Sequence, residues 1–557
     1  MKISVLVSAV FSCFILSLFA FAPADFKISS DQFQLPVLKK KVNNPIIRIN
    51  IVSSSEGRKL TGIRLDTEGT TDLKDIKAAR VYYYGQDTLP GNMETTKAIL
   101  VSTTNNVGRE LRLESDQLLK KGNNYFWLSY ELNDDANILN FVDASLLSVQ
   151  IDGKNKRTYK KDNGIKQRIG VAVRKHKQDA VHTSRIPGLA QTNKGTLIAV
   201  FDARYDSGRD LQGHMDIGIH RSEDNGNTWE PIQIVMDMGE WGGLSEKFNG
   251  VSDACILVDK NSDAIYIAGL WMHGVINAEG KWVEDLNEQS DEWNHQWRTK
   301  GSQPGFGVKQ TSQFLIVKST DDGKTWSDPM NITEMGKKEE WWLWAPAPGQ
   351  GITMKDGTLV FPTQGRDKNG EAFSNITYSK DGGKTWKSST PAINESTTEC
   401  MAVELSDGSI MLNMRANSNK GRIDDSNGRA IAVTKDLGEN WSVHPTSHGA
   451  LIEPVCMASI IRHDYKAGDK YKSVLLFSNP ASKTKRHNMT IKHSYDDGMQ
   501  WSGTSSSLLL DEVNSRGYSC LTSIDSETIG ILYESSQADM VFQAIKLKDI
   551  LKIETKK

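Results

Sequence analysis

The sequence predicts an all-β protein of two parts, a β-sandwich followed by a β-propeller built from repeats. Short runs of Val, Ile, Thr and aromatic residues alternate with Gly, Asp and Asn turns, and no long helical periodicity interrupts them. An eight-residue motif recurs five times between residues 222 and 501. Recurrence at a period of tens of residues favours a propeller or a solenoid. The 557 residues are also enough for at least two domains.

The first 24 residues have the pattern of a signal peptide. Met1-Lys2 precedes the apolar run Ile3 to Phe21, and Ala22-Pro23-Ala24 forms a cleavage site of small residues. We therefore expect export to the periplasm or the extracellular space, a mature chain that begins near Asp25, and no membrane span after cleavage. The apolar run approaches the length of a membrane span, so retention as an anchor is the alternative.

Residues 25–160 are predicted to form the sandwich, because five runs of strand composition lie there at suitable spacing. The runs are Pro45 to Val52, Leu60 to Leu65, Ala79 to Tyr84, Tyr125 to Tyr130 and Ser145 to Ile151. Residues 161–175, within and after a basic polar stretch, are predicted as a linker, and residues 176–557 as the propeller. The sandwich carries no sugar-binding signature, so its role stays open between a carbohydrate-binding module, a spacer and a wall of the active site.

The repeated motif has the chemistry of a hairpin tip. In each copy an Asp can accept hydrogen bonds from turn amides, a Gly can adopt a conformation closed to other residues, and a Trp can pack beneath the turn. Spacings of 60, 55 and 60 residues separate the last four aspartates, about one four-stranded blade each, whereas 97 separate the first two. The extra length between Glu230 and Gln310 is predicted to be a loop near the binding face. The motif aspartates are Asp224, Asp321, Asp381, Asp436 and Asp496.

Composition excludes some classes of function. Lys plus Arg number 67 and Asp plus Glu number 69, so net charge gives no reason to expect nucleic-acid binding. After the leader the chain has four cysteines, which are too sparse for a disulfide scaffold and are expected to be small buried residues in strands. The sequence lacks the clustered His or Cys spacing of a catalytic metal site, so no metal or other cofactor is expected.

The repeats resemble the Asp-boxes of sialidases, and a second set of motifs makes the resemblance specific. Ser184-Arg185-Ile186-Pro187 looks like the motif that opens the sialidase catalytic domain, and Asn413-Met414-Arg415 and Gly517-Tyr518-Ser519 follow in the family's order. The resemblance covers about residues 170–547 and implies a six-bladed propeller with the activity of a bacterial-type exo-α-sialidase. Such an enzyme acts on sialylated glycans and retains the anomeric configuration, and we expect it to be a monomer.

The resemblance also implies a role for each candidate site residue. The catalytic residues would be Tyr518 as the nucleophile, Glu399 as its base and Asp210 as the acid/base aspartate. The substrate-binding residues would be Arg185, Arg415 and Arg486 as a carboxylate-binding triad, Arg204 as a further pocket arginine, Asp253 as a contact to substrate hydroxyls, and Glu534 as the carboxylate that orients the first arginine.

The chemistry of sialic acid explains why these residue types are needed. Its anomeric carbon bears a carboxylate, and arginine offers a permanently charged planar fork suited to a carboxylate. That carboxylate would repel an approaching Asp or Glu but not a neutral phenol, and sialidases are the glycosidases that use a tyrosine nucleophile. A free phenol has a pKa near 10, so it needs a base within hydrogen-bond reach.

Alternatives remain for several of these residues. Asp206 and Asp216 compete with Asp210, Glu395 and Glu404 compete with Glu399, and Tyr533 competes with Tyr518. Arg486 lies in a basic cluster that would also suit a surface loop, and Asp253 and Glu534 would also suit structural roles.

Two other classes of function compete with the sialidase hypothesis. A non-catalytic Asp-box propeller would need neither three arginines nor a Tyr and Glu pair, and an Asp-box glycosidase with two carboxylates would leave the arginines unexplained. Hydrolysis, transfer to another sugar and intramolecular release are not separated by the sequence, nor is linkage preference.

Overall fold

The structure is a computed structural model that describes residues 25–87, 98–157, 165–210, 213–275 and 302–552, together with positions 277, 279, 281, 283, 286, 290, 294 and 295. The predicted leader lies outside these residues. Nearly all regular secondary structure of the described chain is β-strand, which confirms the predicted fold class, and its two α-helices, Thr333–Gly336 (α1) and Leu547–Ile550 (α2), have four residues each. Within this part of the chain, no helix is long and apolar enough to cross a membrane.

Nine of the eleven described strands of the N-terminal part form two antiparallel sheets. The bounds of the eleven are Phe26–Gln32 (β1), Val37–Lys39 (β2), Asn44–Ser53 (β3), Lys59–Asp66 (β4), Ile76–Tyr83 (β5), Ile99–Thr104 (β6), Glu110–Leu118 (β7), Tyr125–Leu132 (β8), Phe141–Val142 (β9), Ser145–Ile151 (β10) and Lys154–Arg157 (β11). One sheet has the order β1-β3-β8-β5-β6 and the other β11-β10-β4-β7. The other two strands, β2 and β9, pair with a later strand. The five runs named from the sequence correspond to β3, β4, β5, β8 and β10.

The two sheets enclose one hydrophobic core. Ile49, Val81 and Phe126 of the first sheet belong to the same buried cluster as Ile63 and Leu113 of the second. Apolar residues alternate with more polar ones along each strand, so each sheet turns one apolar face inward. This packing makes the N-terminal part a β-sandwich.

The remaining strands are β12 to β37. They are Gln167–Arg174 (β12), Thr183–Gln191 (β13), Leu197–Arg204 (β14), Met215–Ser222 (β15), Gln233–Met236 (β16), Asn249–Val258 (β17), Ile265–His273 (β18), Gln313–Ser319 (β19), Met330–Asn331 (β20), Leu343–Pro346 (β21), Gly349–Gln350 (β22), Ile352–Thr353 (β23), Leu359–Arg366 (β24), Ala372–Ser379 (β25) and Lys387–Ser388 (β26). They continue with Thr397–Glu404 (β27), Ile410–Ala416 (β28), Ala430–Thr434 (β29), Ser442–Val443 (β30), Ser459–Ala467 (β31), Lys470–Pro480 (β32), Met489–Ser494 (β33), Leu508–Asp511 (β34), Ser519–Asp525 (β35), Thr528–Tyr533 (β36) and Met540–Lys546 (β37).

From β13 onward the strands form six consecutive groups, β13–β16, β17–β20, β21–β26, β27–β30, β31–β34 and β35–β37. The first strands of neighbouring groups contact one another around a closed ring. β13 lies against β17, β17 against β21 and β22, β23 against β27, β27 against β31, β31 against β35, and β35 against β13. A closed ring of six such groups is the arrangement of a six-bladed β-propeller.

The sixth blade is completed from the other side of the ring. β12 pairs antiparallel with β37, and β2 of the N-terminal part pairs parallel with β12. Residues 167–174 of the predicted linker are therefore a strand of the propeller, because an outer strand from before the first blade is needed to close the ring. Residues 161–164 lie outside the described residues.

The repeated motifs are hairpin tips held by their own side chains. In the second copy, Asp321 accepts hydrogen bonds from the backbone N of Thr325 at 2.9 Å and from its hydroxyl at 2.6 Å. The indole of Trp326 donates to the carbonyl oxygen of Gly323 at 3.1 Å. Gly323 has φ +77, which a residue with a side chain rarely adopts. The same bonds recur in the copies of Asp224 and Asp381, so these aspartates serve the fold.

Candidate active site

A cleft of about 980 Å³ opens where the inner strands of the propeller converge. Seven of the nine predicted site residues line it, namely Arg185, Asp210, Asp253, Glu399, Arg415, Arg486 and Tyr518. Arg204 and Glu534 lie directly behind its wall, where each bonds a residue of the wall. The structure therefore brings together side chains that lie as far apart in the sequence as residues 185 and 534.

Irregularities in three inner strands direct side chains into the cleft. The pairing of β13 shifts after Arg185, that of β17 shifts around Asp253, and that of β27 shifts around Glu399. Ile186 and Asp253 have φ values of +62 and +57. A bulge inserts one residue and re-aims its side chain, and bulges are common next to active sites.

Tyr518 and Glu399 form a direct pair at the floor of the cleft. The phenol of Tyr518 donates a short hydrogen bond to Oε1 of Glu399, and Arg415 Nη1 donates to Glu399 Oε2 at 2.7 Å and to the phenol oxygen at 3.3 Å. Burial raises the pKa of Tyr518 well above its ordinary value, the charge of Glu399 raises it further, and Arg415 and Arg486 oppose the rise. The phenol is therefore neutral and has a carboxylate in position to take its proton.

Three guanidinium groups surround this phenol. The guanidinium carbons of Arg185 and Arg486 lie 5.2 and 5.5 Å from the centre of the Tyr518 ring, and Arg415 contacts the phenol oxygen. Three cations that converge beside one phenol form a site for a small carboxylate. Such a carboxylate would be held next to the phenol oxygen of Tyr518.

Each guanidinium is oriented by fixed acceptors. Arg185 Nε donates to Glu534 at 2.6 Å, Arg415 donates to Glu399, and Arg486 donates to the backbone carbonyl oxygens of Arg516 at 2.9 Å and Val455 at 3.1 Å. Glu534 also accepts from the backbone N of Ile186 at 3.2 Å and from that of Tyr518 at 3.0 Å. Its buried carboxylate thus ties the first arginine to the strand that carries the phenol.

Asp210 lies at the exposed edge of the cleft, with its side chain 69 % exposed. Its Oδ1 accepts hydrogen bonds from Arg204 Nη1 at 2.5 Å and Arg185 Nη1 at 3.4 Å. Desolvation by the cleft walls alone would raise the pKa of Asp210, but the charges of Arg204 and Arg185 outweigh it and hold the pKa below its ordinary value. Asp210 is therefore ionised in the empty cleft at neutral pH.

Arg204 was predicted as a pocket arginine, yet in the structure it does not line the cleft. The residue is 2 % exposed, and its guanidinium bonds Asp202 at 2.7 Å as well as Asp210 and the carbonyl oxygen of Gly208. Its donors are taken up by these acceptors because β14 points it beneath the loop that follows. In this state it supports Asp210 from behind.

Gln364 is a site residue that the sequence analysis missed. Its Nε2 reaches Asp253 Oδ2 at 3.4 Å, and its Oε1 accepts from the backbone N of Glu399 at 3.0 Å. It also lines the cleft from β24. Burial, with the negative charges of Asp202 and Glu399, raises the pKa of Asp253 well above its ordinary value, so Asp253 is protonated and can donate as well as accept.

A buried ion pair beneath the Glu399 and Arg415 strands was also missed. Arg429 and Glu453 are both fully buried and meet at 2.7 Å. Glu453 accepts from the backbone N of Ala416, next to Arg415, and Arg429 reaches the carbonyl oxygen of Glu399 at 3.4 Å. No local motif marks these residues, because their partners come from other strands.

One described residue of the long segment between β18 and β19 reaches the cleft. His295 lies in its wall, which agrees with a loop near the binding face, and Met272 lines it from strand β18.

A group of possible metal ligands lies elsewhere. Ligand atoms of His214, Asp216 and Asp237 lie within 4.8 Å of one another and could hold a cation. Asp216 already accepts a hydrogen bond from Tyr205 at 2.8 Å, and these residues do not line the cleft.

Two family models match the chain. Residues 186–507 match the model described as a BNR repeat-like domain. Residues 25–155 match the model described as the N-terminal domain of BNR-repeat neuraminidase. The two matches fall on the propeller and the sandwich, respectively.

Individual relatives agree with these matches. The sialidase of Bacteroides fragilis (strain YCH46) is 40% identical over 574 residues, which cover 99% of this chain and 100% of the relative. The sialidase of Clostridium perfringens is 27% identical and covers 63% of this chain and 86% of its own length. Among solved structures, the Hadza microbial sialidase Hz136 superposes with a TM-score of 0.84 at 36% identity, covering 94% of this chain and 99% of that one. Trypanosoma rangeli sialidase, at 20% identity, has a TM-score of 0.52 and covers 69% and 60%.

Proposed function

This chain belongs to the BNR-repeat sialidase family of glycoside hydrolases, and from its cleft we propose a retaining exo-α-sialidase with Tyr518 as the nucleophile. Sialidase activity itself is supported by the relatives that match over the whole chain. The observation that carries the mechanism is the hydrogen bond from the phenol of Tyr518 to Glu399, inside a ring of three guanidinium groups.

In the first step the phenol oxygen of Tyr518 attacks the anomeric carbon and its proton passes to Glu399. The bond from that carbon to the glycosidic oxygen breaks, and the leaving oxygen takes the electron pair and a proton from Asp210. The substrate carboxylate is held by Arg185, Arg415 and Arg486, which keep it beside the phenol. The product is an aryl ketoside, in which the anomeric carbon is bonded to the phenol oxygen of Tyr518, formed with inversion.

In the second step water attacks the same carbon from the side that the leaving group vacated. Asp210, now ionised, takes a proton from this water, and the phenolate of Tyr518 leaves and regains its proton from Glu399. Two inversions give net retention. The phenol of Tyr518 regains its proton, and both side chains are restored for the next turnover.

Covalent trapping tests this proposal directly. A 2,3-difluoro sialic acid loses its fluoride at the anomeric carbon and leaves a slowly hydrolysed sugar on the nucleophile. We expect intact-protein mass spectrometry to find one added sugar and peptide mapping to place it on Tyr518. The Tyr518→Phe variant should take up no label, and NMR should find the α-anomer of sialic acid formed first. A label on another residue, or a β-anomer formed first, would remove Tyr518 from the mechanism.

The proton state of Asp210 predicts the pH dependence. The first step needs Asp210 protonated, and its pKa lies below the ordinary value in the empty cleft, so the active form becomes scarcer as pH rises. We expect kcat/KM for sialyllactose to fall by up to about tenfold per pH unit between about pH 5 and about pH 8. Bound substrate brings a carboxylate next to Arg185, and this negative charge raises the pKa of Asp210. The decline of kcat with rising pH should therefore begin at a higher pH than the decline of kcat/KM.

Removal of the carboxyl group of Asp210 should abolish the fall of kcat/KM with rising pH. Asp210→Asn is expected to lower kcat/KM for sialyllactose by about 10²-fold or more at pH 5 and to make it nearly independent of pH above that value. Asp206→Asn, in the same loop, serves as the matched control and should keep the wild-type profile. If Asp210→Asn retained the alkaline decline, another group would be the acid.

The substrate and location follow as parts of the same proposal. We propose terminal sialic acid on glycoconjugates as the substrate, because the arginine-lined end of the cleft matches the anomeric carboxylate. Export through the leader is proposed from the sequence alone, and cell fractionation with N-terminal sequencing of the mature protein tests it. A non-catalytic propeller is disfavoured, since glycan binding alone would not require a phenol hydrogen-bonded to a carboxylate at the cleft.

A further inference from the structure

The loop that carries Asp210 connects β14, which ends at Arg204, to β15, which begins at Met215, and residues 211–212 within it lie outside the described residues. Arg204 supports the loop from beneath through Asp210 and through the carbonyl oxygen of Gly208, the latter at 3.2 Å, and Arg185 also bonds Asp210. A proton donor must be held to within a fraction of an ångström of its acceptor, so each contact that holds this loop bears on the proton transfer.

Arg516 contacts the same loop at Gly208. A Cβ atom on Gly208 would lie 3.0 Å from Nη2 and 3.3 Å from Nη1 of Arg516, and 3.4 Å from the hydroxyl of Thr183. Both terminal nitrogens of the guanidinium therefore rest against the backbone of Gly208, two residues before Asp210. The close approach depends on the absence of a side chain at residue 208.

The position of Arg516 links three parts of the catalytic apparatus. It lies two residues before Tyr518, its carbonyl oxygen accepts a hydrogen bond from Arg486 at 2.9 Å, and its guanidinium covers the Asp210 loop. Neither the sequence analysis nor the Asp-box pattern marks this residue. It does not line the cleft, so it is placed to act on other side chains and not on the sugar.

The guanidinium of Arg516 has no carboxylate within 4.0 Å among the described residues. Partial burial lowers its pKa, the charges of Arg185 and Arg204 lower it further, and those of Glu534 and Asp539 oppose the fall. The side chain is nevertheless exposed to solvent, which screens these charges. The contact with Gly208 is therefore the interaction through which Arg516 can act on the loop.

We propose that Arg516 is a positioning residue that holds the 205–210 loop so that Asp210 can transfer its proton to the leaving group. The proposal rests on the proposed role of Asp210 as the acid. Its effect should depend on the leaving group, because an acidic phenol departs without a proton whereas a sugar hydroxyl requires one. A residue that merely stabilised the fold, or that bound the substrate carboxylate, would affect both kinds of substrate alike.

The experiment compares kcat/KM for sialyllactose and for an aryl α-sialoside with a fluorescent phenol. Arg516→Ala should lower the value for sialyllactose by about tenfold to 10²-fold and the value for the aryl sialoside by less than about threefold. The affinity for an unreactive sialic acid analogue, measured by calorimetry, should not change. Arg516→Lys should lie between Ala and the wild type, since it keeps the charge but not the planar fork.

Gly208→Ala disturbs the contact between Arg516 and Gly208 without changing the arginine. The φ of Gly208 lies outside the left-handed region, so Ala is tolerated by the backbone, and its Cβ would displace the guanidinium of Arg516. We expect the same selective loss on sialyllactose. Gly449→Ala is the matched control, because the nearest atom to its Cβ would be 3.9 Å away and its φ is also ordinary. If Arg516→Ala failed to fold, Gly208→Ala would decide.

Asp210→Asn, measured with both substrates, separates the two levels of the proposal. If Asp210→Asn shows the leaving-group dependence and both Arg516→Ala and Gly208→Ala lack it, Arg516 has no positioning role. Equal losses on both substrates, or loss of analogue binding in Arg516→Ala, would also overturn it. If Asp210→Asn lowered kcat/KM equally for sialyllactose and for the aryl sialoside, the acid role of Asp210 would fail, and the positioning role of Arg516 with it.

Discussion

Tyr518→Phe is expected to lower kcat/KM for an aryl α-sialoside by about 10³-fold or more while leaving the fold intact. The substitution deletes one oxygen atom, the one that donates to Glu399 and lies beside Arg415. Formation of the covalent intermediate from an aryl substrate needs little help from Asp210, so kcat/KM reports on the nucleophile almost alone. Fluorophore release and circular dichroism measure the two expectations.

Tyr533→Phe provides a matched control for that variant. Tyr533 is a fully buried tyrosine at the end of β36, paired across the hairpin with Ser519, and its hydroxyl bonds Gln543 at 3.2 Å. Loss of this hydroxyl should cost about 1 kcal/mol of stability and change activity by less than about twofold. Tyr518→Phe with more than a tenth of wild-type turnover would contradict a tyrosine nucleophile.

The second large effect is expected for Arg185→Ala, which should lower kcat/KM by about 10²-fold to 10³-fold. Charged hydrogen bonds to a carboxylate contribute about 1.5–3 kcal/mol each, and a planar fork can form two of them. The loss should therefore appear in analogue binding as well as in turnover. Wild-type protein should prefer sialic acid over its methyl ester, and the variant should lose most of that preference.

Controls for Arg185 must account for its partner. Removing the guanidinium leaves Glu534, which is 1 % exposed, without its 2.6 Å partner, so part of the loss could come from a disturbed site. Arg185→Lys keeps a charge near Glu534 but not the fork, and it should still lose at least about tenfold in kcat/KM. Arg462→Ala removes an arginine that pairs with Asp464 outside the cleft and should be silent. Unchanged preference for the free acid in Arg185→Ala would refute carboxylate binding there.

The sequence predicted most reliably what is determined locally. The repeats could be interpreted because the bonds that shape the tip, such as those from Thr325 to Asp321, join residues within eight positions. Arg185 was assigned because residues 184–187 resemble a motif of the family, and the strand irregularity that turns it inward follows directly in the chain. The all-β fold class followed from such local signals and is confirmed, whereas the roles assigned to individual residues stay predictions.

What the sequence could not supply depends on contacts between distant strands. Gln364 lies 35 residues before Glu399 and accepts a hydrogen bond from its backbone N. Arg516 lies more than 300 residues after Gly208, which it contacts. No local sequence pattern marks either residue, because each one contacts residues that come close to it only when the propeller ring closes. Arg204 shows the same limit in another way. Its resemblance to a pocket arginine placed it in the cleft, but the structure places its guanidinium behind Asp210.

Completion of the sixth blade by β12 has a consequence for the timing of activity during synthesis. β12 can pair with β2 and β9 early, but its pairing with β37 must wait until residues 540–546 have left the ribosome. Tyr518 and Glu534 belong to this same late blade. A nascent chain that already contains all three arginines therefore still lacks a closed ring, and we expect no activity before residues 540–546 are available to close it.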